Sequence, residues 1–259
     1  MTYETVRAAE SAVRELGRLG VALPPEMVAR VDEFATVRAK VDDPPAAAPG
    51  PAILAALAAG RDPATDRAVS RALAAEQVLL HRDATAAALE AEASAWTASE
   101  LRPAVQAAAA AAYDVLVAEP IRAALAVLGA GDLHRHDSTL TLGSDLAVTA
   151  AVGQVHAADQ AAAVLRRHWN VGRDPWHGAR DVALLLATPP SGEAWRARAR
   201  AQGVPSPWDL ASEGWQLAMP ASAEELAARQ AAVNEMLAAE ERQRAAAEKE
   251  ARTRDLWRV

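Results

Sequence analysis

DPATDRAVSRALAAEQVLLHRDATAAALEAEASAWTASELRPAVQAAAAAAYDVLVAEPIRAALAVLG, residues 62–129, is the stretch that decides the fold. Nearly every residue in it is a strong helix former, with alanine dominant. Asp62 is placed to cap the first turn, with Pro63 at the first helical position, where a missing N–H costs nothing. Gly129 and Gly131 supply the stop. Pro103 and Pro120 each remove a donor and crowd the preceding turn, so two or three collinear or hinged helices are expected rather than one rod. Thr97 with Glu100 has the spacing of a capping box that restarts the helix near the first break.

A heptad trial puts Leu73, Leu80, Ala87 and Ser94 on one seam and Ser70, Gln77, Ala84 and Ala91 on the other. The seam fades from leucine into small and polar residues, which argues against a long coiled coil and for an alanine-lined face packed on another helix. Tyr113, Leu116, Ile121, Leu125 and Leu128 make the following part greasier and mark the expected main core.

Working outward, residues 1–41 form an N-terminal helical hairpin. Val6, Val13, Leu16 and Leu19 make one stripe, and Met27, Val31, Phe34 and Val41 the next, joined at Leu23-Pro24-Pro25. Residues 42–52, DDPPAAAPGPA, form a Pro/Ala linker. The long Ala-rich region covers 53–130, and a Trp/Arg-rich mixed region covers 131–221. There, Thr139-Leu140-Thr141-Leu142 alternates with period two, placing one short β element near 138–143. Six of the seven tryptophans lie beyond residue 160. Helices are expected from Ser144 or Asp145 to about His168, from Trp176 to Ala187 and from Pro190 through Gln202, with Val204–Pro220 irregular. Residues 222–259 form a C-terminal helix and tail. It opens on the Ser222/Glu225 capping box and carries Leu226, Val233 and Leu237 as a short stripe. Beyond Leu237 it is polar all round, with Glu240–Arg244, Glu248–Arg252 and Glu250–Arg254 pairs, and so is expected to project. The fold class is therefore mostly all-α: an Ala-rich multi-helix bundle with long, Pro-interrupted central helices.

The net charge of −7 argues against coating nucleic acid or adhering to anionic membrane. No cysteine is present, which removes disulfides, thiolate metal sites and cysteine nucleophiles. The N-terminus lacks the apolar core of a signal peptide and no apolar run is long enough to span a bilayer, so cytoplasmic synthesis and no membrane are expected. Arginine and alanine excess fits a GC-rich genome. Phosphate-loop, dinucleotide, nucleophile-elbow and zincin motifs are all missing.

Three functional readings compete. The favoured one is a non-enzymatic structural or assembly protein, without cofactor, binding other protein subunits as a homo-oligomer or within a hetero-assembly. A bacteriophage head, neck or tail component, incorporated into the viral particle, is its natural setting. Its partner-binding candidates are the apolar tip Leu256, Trp257 and Val259 and the Arg/Trp cluster Arg166, Arg167, Trp169, Arg173 and Trp176, residue types that dominate interface hot spots. The second reading is a nucleic-acid adaptor using residues 166–200, where seven arginines against three acids give a local charge of +4. Arg196, Arg198 and Arg200 alternate and would spread around a helix, which weakens it. The third is a metal-dependent enzyme at His134, His136 and Asp137, with His156, His168 or His177 completing the site.

Overall fold

A computed structural model describes residues 3–43, 49–130, 133, 146–171, 179–200 and 203–256. About 81% of the structure is helical, with one two-stranded ribbon among the described residues, so the fold is mostly all-α. The chain forms two compact units, residues 1–104 and 105–259. Their boundary falls inside the long Ala-rich stretch.

In the first unit, α1 (Glu4–Arg18) and α2 (Pro25–Asp42) form the N-terminal hairpin and both pack on α5 (Arg82–Trp96). Tyr3, Val6, Phe34, Val41, Ala86, Leu89 and Ala93 make a core cluster, with Trp96 leaning on Phe34 at a ring separation of 5.5 Å. The first helix has no side-chain cap of its own. Glu90 of α5 supplies an acceptor instead, taking the Thr5 N–H at 2.7 Å. The helices α3 (Pro49–Ala58) and α4 (Arg67–Leu80) pack on each other. Pro49 to Ala52, read as linker, thus belong to α3, whereas residues 44–48 lie outside the described residues.

The cap of α4 is Asp66, not Asp62. Its carboxylate accepts from Ala68 N (2.8 Å) and Val69 N (3.3 Å) and pairs with Arg61. Backbone N–H donors hold its pKa below the usual carboxylate range, with Arg61 adding to the effect. Asp62 heads the turn just before, accepting from Ala64 N.

The prolines do not break the chain's helical path. The backbone stays helical from Arg82 to Leu128 through two π-helical turns, Thr97–Leu101 and Asp114–Ala118, which link α5 to α6 (Arg102–Tyr113) and α6 to α7 (Glu119–Leu128). Each turn ends just ahead of a proline. Arg102 N–H reaches Thr97 O and Glu119 N–H reaches Asp114 O, both i→i−5. The widened turn accommodates the missing N–H and the ring that would otherwise press on the preceding turn. Thr97 is consequently a buried mid-helix residue rather than a cap, and Glu100 accepts from Trp96 Nε1 instead.

In the second unit, α7 packs along α8 (Leu146–Trp169). α9 (Ala179–Leu186) runs into β1 (Ala187–Thr188), which pairs antiparallel with β2 (Gln216–Leu217) in register Ala187↔Leu217. α10 (Gly192–Arg200), α11 (Pro207–Ser212) and α12 (Ala223–Leu256) complete it. Val204–Pro220 is thus more regular than expected: Ser206 and Asp209 form a true capping box on α11, and β2 follows. The β element expected near 138–143 lies outside the described residues. Tyr113 donates its hydroxyl to Leu186 O at 2.9 Å, and burial drives its pKa upward. Trp169, Trp195 and Trp208 are all buried, and Trp195 stacks obliquely on Trp215.

Candidate functional site

Three features of the surface stand out, one in the first unit and two in the second. The first is apolar. α3 and α4 bury Ala56, Val69, Ala72 and Ala75 and leave Leu54, Leu57, Leu73, Leu79 and Leu80 between 43% and 68% exposed. The alanine-lined face is therefore used inside the unit, and the two leucines of the heptad seam face outward.

The second is a groove of about 780 Å³ between α10 and α12, lined by Arg196, Arg200, Glu240, Gln243 and Arg244. Glu240 does not pair with Arg244, as its spacing suggested. It caps the start of α10, accepting from Gly192 N and from Arg196 Nη1, both at 2.8 Å. A carboxylate there is favoured by unsatisfied N–H groups and by the helix dipole. Gly192 makes this possible, since a Cβ at that position would overlap the Glu240 carboxylate. Arg198, on another side of α10, is buried against Glu213 at 2.9 Å. The three alternating arginines thus do spread around the helix, and only Arg196 and Arg200 reach the groove.

The third is a cavity of about 190 Å³ beside α8. Asp159 and Arg166 line it, with Ala162 and Ala163 between them and Leu186 and Pro205 among its walls. Asp159 to Arg166 is seven residues, two turns of one helix face. One Asp159 oxygen is buried without a hydrogen-bond partner among the described residues. Burial pushes the Asp159 carboxyl up to about 6, reinforced by Asp209 and opposed by His156 and by the Trp208 backbone N–H. Burial, and then neighbouring Arg167, lowers the pKa of Arg166.

The sequence-derived candidates are scattered. Trp169 is 2% exposed and donates Nε1–H to Pro220 O at 2.7 Å, so it is a core residue and not a docking one. His168 is likewise buried. Arg167 is exposed, while Arg166 turns to the cavity. Arg173, Trp176, Trp257, Val259 and the His134/His136/Asp137 cluster lie outside the described residues, as does the side chain of Leu256. No group of three metal-ligating side chains occurs among the described residues, and none of their helices is long and apolar enough to cross a membrane. Asp159 was missed because a lone acid in a helix gives no motif. The available signal was an acid and an arginine seven residues apart with only small residues on the face between.

No family model, curated protein or solved structure matches the chain.

Proposed function

We propose that the chain is a non-enzymatic assembly protein that acts through helix-mediated contacts with other protein subunits, including copies of itself. The observation that carries this is the inverted partition of α3 and α4, with alanines inside and leucines outside. Scattered exposed leucines are ordinary, but five on two adjacent helices whose buried positions are almost all alanine form a surface suited to being covered. Full burial of a leucine contributes roughly 1.5–3 kcal/mol, so covering three of those half-exposed side chains supplies a few kcal/mol.

The end of α12 supports the same reading. Residues 241–251 are exposed on every side of the helix. From residue 241 to residue 251 the helix runs about 16 Å at 1.5 Å per residue, without a core of its own. Such a helix is marginal alone and suits a strut between subunits. A many-copy particle such as a bacteriophage head or neck is the setting we propose.

Sedimentation velocity across a concentration series tests this. The wild type is expected to associate, and a Leu54→Glu/Leu80→Glu variant to stay monomeric with unchanged helix content. A strictly monomeric wild type, or a variant that associates equally well, would overturn the reading.

A second reading, a nucleic-acid adaptor, is favoured by one observation: Arg200 and Arg244 line the α10–α12 groove with no acid partner among the described residues. It predicts oligonucleotide binding that weakens steeply with salt and is lost in Arg200→Ala/Arg244→Ala. Binding indifferent to salt counts against it.

A further inference from the structure

The cavity beside α8 does not rest on the assembly reading and has a chemistry of its own. Its two polar lining side chains on α8 are an acid and a guanidinium of opposite charge, and among the described residues neither forms an ion pair with a side chain across the cavity. Asp159 keeps one oxygen without a hydrogen bond, and no hydrogen bond or ion pair engages Arg166 among the described residues. Native interiors rarely leave a buried oxygen such as Asp159 Oδ1 unsatisfied, and one that is left calls for a water, an ion or a ligand. The helix face between them is apolar and small-chained, Ala162 and Ala163, and the opposite wall is mostly apolar, Leu186, Val204, Pro205 and Pro207, with Ser206 its polar member.

Size narrows the ligand. Drug-sized molecules and cofactors occupy roughly 300–1,000 Å³, and the cavity holds about 190 Å³. At ~30 Å³ per water, that is the room of about six waters, a molecule of amino-acid size. Spacing narrows it further. Seven residues at ~1.5 Å set the two Cα atoms about 10.5 Å apart along the helix. Side chains lean toward the helix N-terminus, and the longer arginine leans further, which shortens the gap to several ångströms. The amino and carboxylate groups of an α-amino acid are too close together to meet both ends.

We propose that this cavity binds a small linear zwitterion, its ammonium on Asp159, its carboxylate on Arg166 and its methylene chain along Ala162 and Ala163. Charge-assisted hydrogen bonds at both ends supply orientation, and the apolar wall supplies contact area. A ligand ammonium favours ionised Asp159, so affinity falls as pH drops through about 6, where this carboxyl takes up its proton. The other titratable and charged groups facing Asp159 are His156 on the same helix, Asp209 of α11 and Tyr113 of α6.

Calorimetry on the full chain with 6-aminohexanoate and 4-aminobutanoate tests this, with hexanoate, hexylamine and alanine as single-ended or short controls. Saturable binding of at least one ω-amino acid is expected at ~1 mM or below. The controls should bind tenfold or more weakly. Asp159→Asn and Arg166→Gln should each weaken binding about tenfold or more, as loss of a charge-assisted hydrogen bond does. Asp159→Asn should also abolish the pH dependence. A selective wild type supports the site even where a variant is poorly folded. No saturable heat, equal binding of hexanoate or hexylamine, or affinity indifferent to both well-folded variants would overturn it and leave a water-filled void.

Discussion

Two helix pairs, α3–α4 in the first unit and α7–α8 in the second, draw on the same alanine-rich composition and use it in opposite ways. In α7 and α8 large side chains fill the buried face: Ile121, Val155 and Leu165 are fully excluded from water beside Ala124 and Ala158, although Val127 and Leu146 remain exposed. Alanine there sets how close the helices come, while the branched residues provide the area. In α3 and α4 alanine takes nearly all the buried positions and the leucines remain outside. Buried alanine gives up far less apolar area than buried leucine, so the second arrangement contributes much less to its own unit's stability. What it retains is surface that another chain can cover.

The sharpest way to break this contrast is to truncate a leucine in each pair. Leu165→Ala should destabilise the second unit by roughly 2–5 kcal/mol, since it opens a cavity in a fully packed site. Leu80→Ala should change the stability of a dilute sample by only about 0.5 kcal/mol or less, as exposed positions do. Denaturant unfolding would measure both. Fluorescence of the buried Trp195 and Trp208 reports the second unit, and far-ultraviolet circular dichroism reports helix in both. Comparable losses at the two sites would mean that the α3–α4 leucines already serve the monomer's own core.

A smaller effect is expected at Gly192, where the second unit draws a helix start and a distant carboxylate together. Gly192→Ala pushes the Glu240 carboxylate away from the N-terminus of α10 and from Arg196. The loss should be about 1 kcal/mol, partly offset by alanine's better helix propensity. Because Glu240 is the end of a flexible side chain, the backbone need not move. A double-mutant cycle with Glu240→Ala checks this. The two changes should be strongly non-additive, whereas additive losses would show that the glycine and the carboxylate act separately.

Much of the helical layout was legible from composition and periodicity, because alanine-rich runs with polar punctuation leave few alternatives. The hairpin over residues 1–41, the helix ending near His168 and the long C-terminal helix were all placed by pattern alone. The Ser222/Glu225 start was close as well: Glu225 N–H donates to the predicted partner Ser222 Oγ at 3.1 Å, although the Glu225 carboxylate accepts from Ala221 N rather than from Ser222 N. The prolines interrupt the α-helical spacing as expected, and the helices they separate follow one another without a break. The penalty for an internal proline assumes α-helical spacing, and a π turn ahead of Pro103 and Pro120 relieves it. Asp62 reads as the cap because Pro63 follows it, yet Pro63 sits in a turn and the helix starts one turn later, on Asp66. The partition of leucine and alanine on α3 and α4 could not be read, since at this composition either face satisfies the periodicity. Tertiary contacts decide which one is buried.

The last expected effect concerns pH and separates two aspartates that a sequence treats alike. Asp66 is satisfied by N–H donors and Arg61, and its folded pKa lies below the unfolded value. Its contribution is present at neutral pH and is lost as pH falls through the acid range. Asp159 has the opposite sign. Its folded pKa, near 6, lies above the ordinary 3.8, so the folded chain holds a proton that the unfolded chain has released. Raising the pH from about 4 to 6 therefore removes stability at this site, and the penalty is complete above 6. The side chain is partly solvated, which reduces the net effect to about 1 kcal/mol. Asp159→Asn keeps the acceptor for Trp208 N–H and removes the charge. It should flatten stability between pH 4 and 6 and raise it slightly at pH 7, in the absence of any zwitterion. An unchanged pH profile in Asp159→Asn would mean that Asp159 is hydrated in the folded chain, and that its desolvation contributes nothing to the energetics of this cavity.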